Sequence, residues 1–294
     1  MTTRPAFKPH SLVLSVSLLL VAMVSLQIGA ALAKRLFPLV GAAGATSLRL
    51  AIAALILLAV WRPWRVRPTP REAGTILVYG LSLGFMNFMF YSSLSRIPLG
   101  IAVALEFTGP LALAMATSRR ALDFAWIVLA ALGLLALLPL GHDSKPLDTL
   151  GILLSLGAGA CWAIYIVAGQ KAGSAHGGQT AAIGTLIGAL SIVPIGLAQA
   201  GMTLFSPAIL PLACAVAVLS SALPYSLEML ALMRLPTRTF GVLMSMEPAL
   251  GALSGLVLLH ETLTAIQWGA IACIMSASAG SAATSRATSN VLPD

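Results

Sequence analysis

Four formal charges lie well inside long apolar runs of this chain: Arg49, Glu106, Glu228 and Glu247. Facing lipid, each would cost about 2.5 to 3.5 kcal/mol on insertion scales. They must therefore face a cavity or one another. Arg49 is the seventh residue of a 19-residue run, Glu106 the eighth of 19, and Glu247 the ninth of 20. At about 1.5 Å per helical residue, all three lie within about one turn of the membrane midplane. Arg49 offers a guanidinium fork for a carboxylate, with a structural pairing to a glutamate as the alternative. A loosened helical turn beside a carboxylate makes a pocket for a proton or an ammonium group. Glu106 precedes Pro110 by four residues, so the carbonyl freed by that proline belongs to Glu106 itself. Glu247 directly precedes Pro248. Glu228 lies near one end of its run, with Tyr225 one turn before it and Pro224 adjacent. Gln27, Asn87, Tyr91, Trp162 and Tyr165 are further polar or amphipathic residues inside apolar runs. They can line a cavity or serve as helix–helix hydrogen bonds and packed aromatics. Pro110, Pro224 and Pro248 are the expected helix kinks.

The elements that position these groups follow from composition. Of the 294 residues, 59% are hydrophobic and 9% charged. Soluble proteins carry about 25% charged residues. Mean hydropathy is +0.96. These values exclude a soluble enzyme or a disordered tail. The net charge of +8 does not indicate a nucleic-acid partner, because the 17 Lys and Arg residues occupy short gaps between apolar runs. Cutting at charges, prolines and polar clusters predicts ten spans of a bilayer partner, at roughly 11–33, 43–61, 73–95, 99–117, 121–140, 150–170, 180–200, 208–232, 239–258 and 263–283. The run from Ser11 to Ala33 is 23 residues, too long for a signal-peptide core.

With the N-terminus inside, 12 of the 17 basic residues are cytoplasmic and 4 are outside, Arg49 being within a span. That positive-inside bias places both termini in the cytoplasm. The motif Arg96-Ile97-Pro98 recurs as Arg234-Leu235-Pro236 at an offset of 138, and the same offset carries Pro110 onto Pro248. Five spans per repeat is odd, so the halves insert upside down relative to each other. The expected fold is an all-α integral membrane protein of ten transmembrane helices in two inverted five-helix repeats. The repeats occupy 11–140 and 150–283, and 284–294 forms a short polar cytoplasmic tail. Inverted repeats mark secondary transporters with a mid-membrane site. GxxxG pairs at Gly80/Gly84, Gly184/Gly188 and Gly251/Gly255 predict close helix crossings.

No P-loop, Ser-His-Asp pattern or haem motif occurs, and His260-Glu261-Thr262 lacks the second histidine of a zinc motif. Neither a cofactor nor a metal is expected. Cys161, Cys214 and Cys273 lie in apolar runs and read as small buried residues. A membrane-embedded enzyme or structural subunit is the rival class.

Longer stretches carry a resemblance. IPLGIAVALEFTGPLA at 97–112, GAGACWAIYI at 157–166, LPYSLEMLAL at 223–232 and LPTRTFGVLMSMEPAL at 235–250 resemble amino-acid exporters of the EamA family, in the drug/metabolite transporter superfamily. The block from Glu247-Pro248-Ala249 to Leu259-His260-Glu261-Thr262-Leu263 is similar to the family's repeat signature, with His260 where the family usually has Gly. The resemblance runs from about Val21 to Ala283. It implies ten helices and export of small neutral amino acids, L-threonine and L-homoserine, from a bacterial inner membrane, driven by protons. A drug, metabolite or other amino-acid derivative is the alternative cargo.

The charge count makes a direct prediction. In intact cells, an impermeant thiol reagent should label Ser144→Cys and not Thr69→Cys. Labelling at position 69 would reverse the orientation.

Overall fold

A computed structural model describes residues 9–66, 68–116, 121–137, 147–176, 178–232 and 237–284. The described residues form helices and connecting turns, with no strand among them. The long helices are α1 (Pro9–Lys34), α2 (Phe37–Trp61), α3 (Pro70–Leu94), α4 (Leu99–Ala116), α5 (Ala121–Leu137), α6 (Thr149–His176) and α7 (Gly178–Ala200). Gly41 kinks α2, with φ 68° and ψ 174°, and beyond α7 the regularity breaks further. A short α8 (Leu210–Ala217) passes through a π-helical turn, Val218–Ala222, into α9 (Leu223–Leu232). Next, α10 (Thr237–Met244) stops at Ser245-Met246 before α11 (Glu247–Leu259), and α12 (Ala265–Thr284) follows. Among the described residues, seven helical stretches are long and apolar enough to cross a membrane. The chain is therefore a multi-pass membrane protein. Leu55, Leu132, Leu153, Leu190 and Val257 stand outward on five different helices, an apolar surface suited to lipid.

Three sequence expectations change. The runs at 208–232 and 239–258 are not single regular helices: the first carries the π turn and the second the break at Ser245-Met246. Pro224 and Pro248 sit at the second residue of α9 and of α11, just past these irregularities, whereas Pro110 lies inside a continuous α4. The cysteines are not buried. Cys214 is exposed and Cys161 and Cys273 are partly so, because a membrane helix can turn small apolar side chains outward at no cost. Ser144, the Arg234-Leu235-Pro236 half of the repeated motif and the tail beyond Thr284 lie outside the described residues.

Lipid tails are as apolar as leucine, so helices associate here through close contact between small residues. The GxxxG of α3 packs on that of α7: a Cβ on Gly84 would come within 2.9 Å of the Gly188 Cα, and one on Gly80 within 2.7 Å of the Gly184 carbonyl. The closest crossing lies elsewhere. On α4, a Cβ at Gly109 would strike the Gly159 carbonyl of α6, and one at Gly159 would strike the Glu106 carbonyl. This crossing fixes the depth of Glu106.

At one end of the bundle, Glu261 joins three elements. Its carboxylate accepts from Lys34 Nζ of α1 at 2.5 Å and from the Leu99 backbone N–H of α4 at 2.7 Å. Asp148 precedes α6, and the hydrogen bond from the Gly151 N–H holds its carboxylate below the usual range, aided by Arg96 at 3.1 Å. His260 ends α11 in the left-handed region at φ 55°, ψ 30°. That backbone favours glycine, the residue that the resemblance implies there.

His260→Gly should therefore raise stability, by about 0.5–1 kcal/mol. A lower melting temperature in detergent would show that the imidazole makes a contact outweighing the strain.

Candidate functional site

The irregular turns and the close crossings converge on one cavity of about 100 Å³. Its wall includes every binding or proton-coupling candidate drawn from the sequence: Arg49 of α2, Asn87 and Tyr91 of α3, Glu106 of α4, Trp162 and Tyr165 of α6, Tyr225 and Glu228 of α9, and Glu247 of α11. Eight helices and the π turn bring these groups and their neighbours together.

Arg49 is 4% exposed and held by four contacts. Its Nε–H donates to Ser221 Oγ at 2.8 Å. One terminal nitrogen donates to the Ser220 carbonyl at 3.0 Å and to Tyr225 OH at 3.3 Å. The guanidinium carbon lies 5.0 Å from the centre of the Tyr91 ring, a cation–π contact. The π turn makes this possible. Widening a helix by one residue takes carbonyls out of the regular ladder. Two are then met from other helices: Ser220 by Arg49, and Leu219 by Ser25 Oγ at 2.8 Å. Gly29 lets α1 approach, since a Cβ there would lie 2.6 Å from Ser220 Cβ. The pairing of Arg49 with a glutamate does not form; among the described residues no carboxylate makes an ion pair with it. Serines, a carbonyl and two tyrosines supply the partners instead.

The carboxylates are differently placed. Glu106 is 8% exposed and Glu247 is 4% exposed, while Glu228 is partly open. Among the described residues, none of the three takes a hydrogen bond or ion pair from the protein, and all three face the cavity. Glu247 is the first residue of α11, whose N-cap, Met246, supplies no side-chain cap. The positive end of that helix dipole points at the cavity. Trp162 packs edge-on against Phe107, the neighbour of Glu106, at 5.6 Å between centres. Tyr165 stacks on Tyr79 at 4.7 Å and accepts its hydroxyl proton at 3.2 Å. Asn87 donates its amide to the Leu83 carbonyl of its own helix at 2.7 Å.

Ser220 and Ser221 were not singled out from the sequence, because a π turn leaves no mark on hydrophobic periodicity. Gln27 was visible there only as a polar residue within a span. The structure adds that its amide is buried and that neither end finds a protein partner among the described residues.

Comparison with known proteins finds a family and close relatives. The EamA-like transporter family model matches residues 149–282. The threonine/homoserine exporter RhtA of Escherichia coli (strain K12) is 60% identical over 278 residues, covering 95% of this chain and 94% of its own. The protein of the same name from Salmonella typhimurium (strain SL1344) is 61% identical over 273 residues, covering 93% and 92%. A solved crystal structure aligns over 92% of this chain and 95% of its own with a TM-score of 0.59 at 20% identity, a likeness of fold.

The Arg49 contacts predict a stability effect. A lysine cannot reach Ser221 Oγ and the Ser220 carbonyl together, so Arg49→Lys should lose about 1–3 kcal/mol while inserting normally. An unchanged melting temperature would mean that these contacts hold nothing.

Proposed function

The chain belongs to the EamA-like transporter family, and we propose from that premise that it exports L-threonine and L-homoserine across a bacterial inner membrane. The carrying observation is the 60–61% identity, over more than nine-tenths of the chain, to proteins of that name. The cavity agrees in size and charge. About 100 Å³ is well below the roughly 300–1,000 Å³ of drug-sized sites. A zwitterionic amino acid needs one positive and one negative contact where water is excluded. Arg49 is the contact for the substrate carboxylate, and Glu106 or Glu247 holds either the ammonium group or a proton. Glu228 and the aromatic wall complete the enclosure.

The architecture in this reading has ten crossings. The pair α8–α9 makes one and α10–α11 another, giving two inverted five-helix repeats at 11–140 and 150–283. Both termini are cytoplasmic. Discontinuous helices at the site suit this class of transporter, since half-helix ends present unpaired backbone groups to solutes. The cycle is alternating access with proton antiport. Glu261 ties α1 and α4 of the first repeat to the loop after α11 in the second, and opening at that end breaks the tie.

Counterflow in liposomes tests the cargo: labelled threonine should accumulate against unlabelled homoserine. Transport of a bulky hydrophobic cation with neither amino acid moving would replace this reading with drug export. Glu106→Gln tests coupling, because it keeps shape and removes ionisation. Proton-driven export should fail. Exchange without a gradient survives if Glu106 serves coupling alone, and falls too if it holds the ammonium. Wild-type rates in both assays would remove Glu106 from the mechanism.

A further inference from the structure

One polar side chain in the cavity wall plays no part in the balance of charge. Gln27 of α1 is 1% exposed, and among the described residues neither its Nε2 nor its Oε1 has a protein hydrogen-bond partner. Among the described residues, these are the only fully buried side-chain polar atoms in that condition. An unmet buried amide costs the full desolvation of the group, and an apolar residue of the same length would avoid it. A side chain retained at that cost needs a partner that comes and goes.

Its position says which part of a solute it meets. A Cβ on Gly251 of α11 would lie 3.2 Å from Gln27 Oε1 and 3.0 Å from a Val103 methyl of α4. Gly251 is one turn past Glu247, and Val103 is about one turn before Glu106. The amide therefore sits between the two carboxylate-bearing helices, whereas Arg49 is fastened to the π turn. Both charged ends of a bound amino acid already have contacts.

We infer that Gln27 recognises the side-chain hydroxyl of the transported amino acid; this rests on the export reading above. A hydroxyl both donates and accepts one hydrogen bond, and a primary amide offers the complementary acceptor and donor on one rigid plane. Threonine carries its hydroxyl on the β carbon and homoserine on the γ carbon. Beyond the common backbone groups, that hydroxyl is the polar feature the two share. The flexible stem of glutamine lets one amide serve both positions. An amino acid with a methyl group instead would leave the amide unmet, and sites built to bond a hydroxyl reject such analogues strongly.

The experiment is competition against labelled threonine counterflow in liposomes, comparing wild type with Gln27→Leu. Valine replaces the threonine hydroxyl by a methyl, and norvaline does the same for homoserine. In wild type, both analogues should compete at least about tenfold more weakly than their hydroxylated counterparts. In Gln27→Leu, threonine should weaken and the preference should shrink to about twofold or less, with the melting temperature kept or raised. A variant that keeps the wild-type preference overturns the assignment while export stands. Wild type that moves neither threonine nor homoserine overturns the export reading and this assignment together. If Gln27→Leu fails to fold, the wild-type arm decides alone: valine competing as well as threonine overturns the assignment.

Discussion

One guanidinium and three carboxylates share a cavity of about 100 Å³ inside a bundle whose outer surface is apolar. In such a medium unbalanced charge is expensive, and like charges cannot all ionise together. The guanidinium is already fixed by hydrogen bonds to Ser221, Ser220 and Tyr225. The carboxylates have no protein donor among the described residues. In the proposed export cycle, balance beyond the Arg49 charge comes from mobile species, and those that fit are protons and small solutes carrying their own cation. Under the export reading, this requirement makes proton and substrate alternatives for the same oxygens.

Much of the surrounding structure serves that constraint. The π turn at Val218–Ala222 supplies the carbonyl and hydroxyl that hold Arg49, and Gly29 clears the space for α1 against it. The break at Ser245-Met246 begins α11 at Glu247, so a helix end rather than a helix side meets the cavity. The Gly109–Gly159 crossing brings α4 and α6 close enough to place Glu106 and Trp162 on one wall. These features would be defects in a water-soluble core. Here they give buried polar groups partners that lipid does not provide.

The buried charges were legible in the sequence because each breaks a long apolar run at a known energetic cost, and a charge in such a place has few positions open to it. Arg49, Glu106 and Glu247 could be placed near the midplane by counting residues. The Gly80/Gly84 and Gly184/Gly188 pairs were legible as contact sites for the same reason of scarcity. The partners of Arg49 were not, since serines make no signal against an apolar background and the π turn shifts register without changing composition. The exposure of the cysteines is not legible, because apolar character indicates the core only where water is the solvent. His260 shows the reverse case: the resemblance marked a missing glycine, and only the backbone at φ 55° explains what the glycine does.

The competition between proton and substrate is tested most directly by calorimetric titration of the purified protein with threonine, repeated across pH and in buffers of different ionisation enthalpy. Substrate that replaces a proton on a cavity carboxylate binds more weakly as pH falls and releases about one proton per molecule bound. Threonine affinity that stays constant across pH, with no proton released, would contradict the account.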